Sequence, residues 1–281
     1  MANHFALIGY PIKHSLSPWI HEQFLKKTNL EGTYTIHEIP LTDSFEDHVK
    51  KLKETRINGF NVTVPYKQEI IPFLDEIDGM ASKMGAVNTV ANKDGKWIGY
   101  NTDGIGYLRS LESKFPALFL NMQKRVLVIG AGGAARGIFC ALDSAGFKYI
   151  DITNRTARSA QEIAELRSSD TNTAILTLKE AEDNIKDYDV IIQTTSVGMK
   201  PTVDASIINL DHVRQDSIVS DIIYQPIKTK LLQQAETSGA SVHFGHTMLI
   251  YQAQYAFEIW TNKKSPIDDM DLKLQLILEG R

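Results

Sequence analysis

Two residues in the first half of the chain carry the chemistry of proton transfer. Lys67 closes the run Gly59-Phe60-Asn61-Val62-Thr63-Val64-Pro65-Tyr66-Lys67, and Asp103 closes Gly99-Tyr100-Asn101-Thr102-Asp103. A lysine beside a carboxylate can give and take a proton at a carbonyl/alcohol centre. Asn61 and Thr63 alternate along the strand before Lys67, so both face one side of it. Asn88 sits in Gly85-Ala86-Val87-Asn88-Thr89, and Ser15 and Ser17 lie in the turn after the first strand. In open parallel sheets ligands bind outside the carboxyl ends of strands, where these residues fall. Together they make a pocket of hydroxyls, amides and one Lys/Asp pair, which suits a small polyhydroxylated acid. Each also has a plainer reading: Ser17 and Asp103 are good helix N-caps, and Lys67 can be a solvated surface lysine.

A second constellation begins at Gly130-Ala131-Gly132-Gly133-Ala134-Ala135, which fits G-x-G-x-x-G/A. The run Arg125–Ile129 before it reads as a buried strand, and a helix pattern follows. In that context the first glycine allows a tight turn, the second lets backbone approach a pyrophosphate, and the small third position lets helix and strand pack closely. The helix N-terminus then offers free N–H groups to phosphate. The next strand, Tyr149–Thr153, ends in Asn154-Arg155-Thr156, with Arg158 close behind. An NAD site usually has a carboxylate there. An arginine can instead pair with a 2′-phosphate, which favours NADP. Asp151 lies near the expected spacing but inside the strand, where a structural role is expected; a different register would make it the ribose acid.

These groups must be held by elements that alternate. Strands are expected at Phe5–Gly9, Thr33–Glu38, Gly59–Val64, Val87–Asn92, Trp97–Tyr100, Arg125–Ile129, Tyr149–Thr153, Val190–Thr194, Ile218–Ile222 and Val242–Phe244. Helices are expected at Pro18–Leu30 with Ser17 as N-cap, Phe45–Glu54, Asp103–Lys114, Ala134–Ala145, Ala157–Leu166, Thr229–Thr237, Thr247–Trp260 and Ile267–Leu278. Alternation of this kind implies α/β units with helices covering parallel sheets. The partition expected is an N-terminal α/β substrate domain, residues 1–103 completed by 247–281, and a Rossmann dinucleotide-binding domain, residues 104–246.

Bulk composition removes other classes. The chain has 281 residues, 43% hydrophobic and 23% charged, with a net charge of −4. Nothing resembles the basic stripe of a nucleic-acid binder. The single cysteine, Cys140, excludes an internal disulfide and fits a reducing compartment. The start has no basic n-region and its apolar run is short, so no signal peptide is expected. No apolar stretch approaches the roughly 18 residues of a membrane span. The eight histidines are scattered without zinc-site spacing. A cytoplasmic protein with a small-molecule substrate, no metal and no membrane or nucleic-acid partner is expected, as monomer or homodimer.

In order along nearly the whole chain, these segments resemble the shikimate dehydrogenase family. The resemblance rests on Gly9–Pro18, Asn61–Lys67, Gly85–Thr89, Gly99–Asp103, Gly130–Arg136, Asn154–Thr156, Thr195-Ser196-Val197-Gly198-Met199, Asp221–Pro226 and Met248-Leu249-Ile250-Tyr251-Gln252. It implies reversible reduction of 3-dehydroshikimate to shikimate with NADPH, in an active-site cleft between the two domains. It implies Lys67 and Asp103 as the catalytic pair. Ser15, Ser17, Asn61, Thr63, Asn88, Tyr224 and Gln252 would serve the substrate. Gly130, Ala131, Gly132, Gly133, Ala134, Asn154, Arg155, Thr156, Arg158, Thr195, Ser196, Gly245 and Met248 would serve NADP. The chain departs from the family pattern at His21-Glu22, at Gln193 where asparagine is common, and at Gly245-His246-Thr247. Two rivals remain: a quinate/shikimate enzyme with broader substrate or NAD use, and a non-catalytic sensor of the same metabolites. Ser15, Ser17 and Asn154-Arg155 speak against the first, and the joint presence of Lys67, Asp103 and the glycine-rich loop against the second.

Overall fold

The computed structural model describes residues 2–281. Their contacts divide into two compact units, one running to Gly106 and including Gln252–Ile267, the other Tyr107–Tyr251 with Asp268–Arg281.

The first unit holds β1 (Asn3–Gly9), α1 (Ser17–Lys27), β2 (Gly32–Glu38), α2 (Phe45–Glu54), β3 (Gly59–Val62), β4 (Glu76–Ile77), α3 (Gly79–Met84), β5 (Thr89–Lys93) and β6 (Lys96–Tyr100). Its sheet is mixed, in the order β2-β1-β3-β5-β6-β4. β1 runs parallel to β2 and β3, whereas β5 is antiparallel to β3 and β6. Phe5-Ala6-Leu7-Ile8 of β1 is buried on both faces, as an unbroken apolar run requires. Asp94 and Gly95 both have positive φ, the backbone of a tight hairpin between β5 and β6. α1 departs from expectation at both ends. It begins at Ser17 itself, with Leu16 at the cap position and no side-chain cap bond. It stops at Lys27, because Thr28 turns its hydroxyl back onto Phe24 O at 2.7 Å and Asn29 takes a positive φ.

The helix segment 252–261 covers this sheet. Trp260 stacks on Phe5 at 4.6 Å and donates its indole N–H to Val90 O at 2.9 Å. A Cβ on Gly59 would lie 2.3 Å from the Trp260 ring, so only glycine lets β3 lie beneath it.

Between β6 and the second sheet runs α4 (Asp103–Lys114). Then follow β7 (Arg125–Ile129), α5 (Gly133–Ala145), β8 (Tyr149–Thr153), α6 (Ala157–Ala164), β9 (Ile175–Leu176), α7 (Leu178–Asp183), β10 (Val190–Gln193), β11 (Ile218–Asp221), α8 (Lys230–Thr237), β12 (Ser241–Phe244), α9 (Gly245–Thr261) and α10 (Met270–Leu278). The second sheet is entirely parallel, in the order β12-β11-β10-β7-β8-β9. This is the doubly wound Rossmann order, with β7 as the first strand. Short β4, α3, β9 and α7 were not expected, because two-residue strands and six-residue helices carry too little periodicity to register.

The expected junctions at 103/104 and 246/247 fall inside α4 and α9, where a continuous helical ladder leaves no linker to mark a change of unit. The terminal segment 268–281 groups with the second unit rather than the first. Met270 and Leu274, one turn apart on α10, are fully buried, and Asp271 of the same helix attracts Lys114 and His246 of the second unit. Among the described residues no helix is long and apolar enough to cross a membrane.

Candidate active site

In the first unit the expected Lys/Asp pair forms. Lys67 Nζ donates to Asp103 Oδ2 at 2.6 Å, with both side chains partly exposed. The pair comes from the two strands that flank β5: Lys67 lies in the turn after β3, and Asp103 opens α4 after β6. Asp103 is not a cap. Its own N–H is received by Asn101 Oδ1 at 3.1 Å, and its carboxylate is spent on Lys67 and on Asn88, which donates to Oδ1 at 2.8 Å. Asn101 is the capping residue, and its amide also donates to Ala86 O at 3.0 Å.

Asn88 is buried, and its amide is held from several sides. Its Oδ1 accepts the backbone N–H of Thr102 at 2.8 Å and the hydroxyl of Thr89 at 3.0 Å. Asn61 is also buried: its Oδ1 accepts from the Tyr34 hydroxyl at 2.8 Å and its amide donates to Asn88 O and to Thr89 Oγ1. Above this buried layer lie half-buried hydroxyls. Ser15 Oγ donates to Ser17 Oγ at 3.2 Å and accepts the Ser17 N–H at 3.2 Å at the start of α1, while the Ser17 hydroxyl itself makes no cap bond. Thr63 is half-buried just past β3, which ends two residues earlier than expected because Thr63 O accepts the turn bond from Tyr66 N–H. Gln252 is placed by backbone: a Cβ on Gly106, one turn after Asp103, would lie 2.5 Å from the Gln252 main chain. α4 and the 252–261 segment therefore pack backbone to backbone there, and Thr102 Oγ1 lies 3.5 Å from Gln252 Oε1.

The second unit holds the other set. Gly130 takes φ of +113°, and a Cβ there would lie 2.5 Å from Thr194 Oγ1, so the turn out of β7 admits only glycine. At Gly132 and Gly133 an added Cβ would meet nothing within 4 Å. The loop is open on that side, and α5 starts without a side-chain cap. The N-terminus of such a thirteen-residue helix suits a pyrophosphate. Arg155 and Arg158 are exposed beyond β8, and Asn154 donates to Thr156 O at 3.0 Å, shaping that loop. Asp151 is engaged inside the strand at both oxygens. Oδ2 accepts from Arg125 Nη2 at 3.0 Å and from the Tyr188 hydroxyl at 2.9 Å, and Oδ1 accepts from Ala174 N–H at 2.8 Å. Its role is structural.

Two loops at the carboxyl ends of β10 and β11 carry Thr195, Ser196 and Tyr224. Gln193, the departure from the family pattern, ties the first of them. Its amide donates to Thr195 O and Val197 O, each at 3.2 Å, and its Oε1 accepts from Thr195 N–H. The same amide reaches Asp221 Oδ1 at 3.4 Å. Asp221, fully buried, also accepts from Ile223 N–H at 2.9 Å and from the Thr229 hydroxyl at 2.7 Å. Gly245 has a packing reason of its own, since a Cβ there would lie 2.3 Å from Ile222 O. Met248 is half-buried on α9.

The residues that hold these groups and loops, and for which sequence alone assigns no role, are Tyr34, Thr89, Thr102 and Asp221. Tyr34 reaches Asn61 across β1, a contact 27 residues apart that no spacing announces. Thr89 and Thr102 each adjoin a residue already singled out, and adjacency to Asn88 and Asp103 was the available signal.

A mixed-sheet unit bearing a Lys/Asp pair among hydroxyls and amides, with a Rossmann unit bearing an open glycine loop, defines a nucleotide-dependent dehydrogenase of small hydroxy acids. Family models agree segment by segment: a shikimate dehydrogenase substrate binding domain over residues 7–90, a shikimate / quinate 5-dehydrogenase over 112–224, and a shikimate 5′-dehydrogenase C-terminal domain over 245–271. The shikimate dehydrogenase (NADP(+)) of Oceanobacillus iheyensis is 54% identical over 275 residues, covering 98% of both chains. The shikimate 5-dehydrogenase of Thermus thermophilus, solved in complex with NADP(H) and shikimate, superposes with a TM-score of 0.85 at 30% identity, over 97% of this chain and 98% of that one. The quinate dehydrogenase of Corynebacterium glutamicum, solved with NAD, gives 0.88 at 27% identity, over 98% and 99%. This chain belongs to the shikimate dehydrogenase family.

Asp221 yields a prediction about pH. Burial pushes its carboxyl up to about 6 from 3.8, against the opposing pull of its three hydrogen-bond donors. A raised acid favours the protonated folded state, so its contribution is best at low pH and declines as pH rises from about 4 to about 6. In Asp221→Asn the decline is absent. Subtracting the two stability profiles, measured by urea melts, should leave a fall of roughly 2–3 kcal/mol across that window and a plateau above it. A flat difference would show that Asp221 is not desolvated in the folded state.

Proposed function

We propose that this protein catalyses the reversible NADPH-dependent reduction of 3-dehydroshikimate to shikimate, on the route to chorismate and the aromatic amino acids. The observation that carries this reading is the 2.6 Å contact of Lys67 with Asp103, set among the half-buried hydroxyls of Ser15, Ser17 and Thr63. Those hydroxyls and Gln252 bind the carboxylate and ring hydroxyls of the substrate, with Tyr224 as a nearby support and with Asn61 and Asn88, whose amides are engaged inside the unit, supporting the site from beneath. Lys67 Nζ gives its proton to the carbonyl oxygen that becomes the new hydroxyl, and takes it back in the oxidation direction. Asp103 holds the Lys67 ammonium on that oxygen.

The nicotinamide, when bound, supplies the hydride. The loop Gly130, Ala131, Gly132, Gly133, Ala134 would hold the pyrophosphate. Asn154, Arg155, Thr156 and Arg158 would hold the 2′-phosphate, and Thr195, Ser196, Gly245 and Met248 would line the rest. The fit is supported by the open side of Gly132 and Gly133 and by Asp151, whose oxygens are both taken. Arg158, almost fully exposed, pairs with Glu162 at 3.3 Å, a bond weak enough to exchange for a phosphate. The two compact units then act as a substrate domain and an NADP-binding domain. A cytoplasmic location accords with the single cysteine, which is buried, and the chain would act as monomer or homodimer.

The deciding experiment follows absorbance at 340 nm with shikimate or quinate, each offered NADP or NAD. Turnover confined to shikimate with NADP supports the reading. Comparable rates with quinate or NAD place the chain in the broader quinate/shikimate branch, and binding without turnover makes it a sensor. Lys67→Ala should lower kcat by ~10²-fold or more with little change in KM, and near-normal kcat would remove Lys67 from the proton step. Arg155→Ala should raise KM for NADP by about tenfold or more and leave that for NAD nearly unchanged. Equal effects on both cofactors would mean that Arg155 does not read the 2′-phosphate.

A further inference from the structure

The hydrogen bonds beneath Lys67 and Asp103 have a direction. Each link contains a group that can play one role only, so donor and acceptor are settled by chemistry. The Thr102 backbone N–H can only donate, and it meets Asn88 Oδ1 at 2.8 Å, so the NH₂ of Asn88 faces Asp103 Oδ1 at 2.8 Å. The backbone carbonyl of Asn88 can only accept, and Asn61 meets it with Nδ2 at 3.2 Å, so Asn61 Oδ1 faces the Tyr34 hydroxyl at 2.8 Å. The second proton of the Asn61 amide goes to Thr89 Oγ1 at 3.0 Å. Having accepted there, the Thr89 hydroxyl passes its own proton to Asn88 Oδ1 at 3.0 Å. The sequence of donation is Tyr34, Asn61, Thr89, Asn88, Asp103.

We propose that Thr89 is a positioning residue for the proton-transfer pair, joining the Tyr34–Asn61 layer to the Asn88 amide and, through Asn88, orienting the Asp103 carboxylate toward Lys67. The inference rests on the assignment of Lys67 and Asp103 given above. Thr89 is fully buried and reaches neither a ligand nor the surface. Its hydroxyl fills the second lone pair of Asn88 Oδ1, and the Thr102 N–H fills the first. The Thr102 hydroxyl accepts from Asn88 Nδ2 at 3.0 Å and lies 3.2 Å from Asn88 Oδ1, 3.3 Å from Thr89 Oγ1 and 3.5 Å from Gln252 Oε1; with Asn88 Oδ1 filled by Thr89 and by the Thr102 N–H, its proton goes to Gln252. Thus one buried hydroxyl helps hold both a catalytic carboxylate and a substrate-binding amide. Chains of this kind strengthen link by link in a low-dielectric interior, and removing one member leaves its neighbours unsatisfied. At the start of the chain His21 stacks on Tyr34 at 4.4 Å, and burial holds the Tyr34 phenol well above its ordinary range, so it remains a neutral donor.

The test compares Thr89→Val, which keeps the shape and removes the hydroxyl, with Thr89→Ser, which keeps the hydroxyl. The expected result is a fall in kcat of about tenfold or more for Thr89→Val, with Thr89→Ser within about threefold of the parent and KM for NADP unchanged in both. Combined with Asp103→Ala, Thr89→Val should cost less than about twofold further, because its route to the reaction is already cut. Equal losses in the valine and serine variants, or a full tenfold loss persisting in the Asp103→Ala background, would overturn the proposal. So would wild-type kcat in a folded Thr89→Val. Should Thr89→Val not fold, Tyr34→Phe removes the first donor together with a contact to Ser17, so its kcat, read at saturating substrate, must show the same dependence on Asp103. If Asp103→Ala by itself keeps full activity, the assignment of the pair falls and this proposal with it. A dead Asp103→Ala beside a normal Thr89→Val sinks the proposal alone.

Discussion

The Asn88 amide can face only one way, and the contact of Asp103 with Lys67 hangs on that. The Thr102 N–H is a donor and nothing else, so it claims the amide oxygen and turns the amide nitrogen to Asp103. With one carboxylate oxygen held, the other is left for Lys67. The sheet order makes this possible. β5 lies between β3 and β6, so the chain just before it carries Asn88 between the strand that leads to Lys67 and the strand that leads to Asp103. An all-parallel sheet would have needed a crossover between β5 and β6, where a two-residue hairpin suffices.

The second unit solves a different problem, which is to hold loops rather than side chains. Gln193 and Asp221 end adjacent parallel strands, in direct register, and face each other. From there one ties residues 195 and 197 and the other ties Ile223 and the start of α8. A buried carboxylate is a costly anchor, since desolvation works against its charge. Three donors offset part of that cost and convert it into a defined loop geometry.

Much of this was legible in the sequence. The apolar run before Gly130 and the glycine spacing located the Rossmann unit, and β7 and β8 begin and end where the pattern placed them. Asp151 was correctly assigned to structure, because its place inside the strand distinguishes it from an acid at a strand end. Less legible was anything decided across the sheet. Ser17 looked like an N-cap because its type is right for one, yet its hydroxyl turns to Ser15. The last helix was assigned to the wrong unit because its two buried residues, Met270 and Leu274, say only that it packs, not on what. Tyr34 sat in a strand with no polar partner in view, since Asn61 reaches it only when β1 aligns the two neighbouring strands.

The contrast between Asp151 and the loop after it bears on how such enzymes diversify. Asp151 is woven into the interior through Arg125, Tyr188 and Ala174, so a change there disturbs folding before it alters recognition. Arg155, Thr156 and Arg158 are exposed and bear little of the core, and surface substitutions of that sort usually cost within about 0.5 kcal/mol. Under the proposed assignment of that loop to the nucleotide, choice of cofactor can therefore drift at almost no structural expense. The buried donor chain under Asp103 has no such freedom, because each member depends on its neighbours. Lineages built on this fold should alter that exposed loop far more readily than the buried geometry around the Lys67–Asp103 pair.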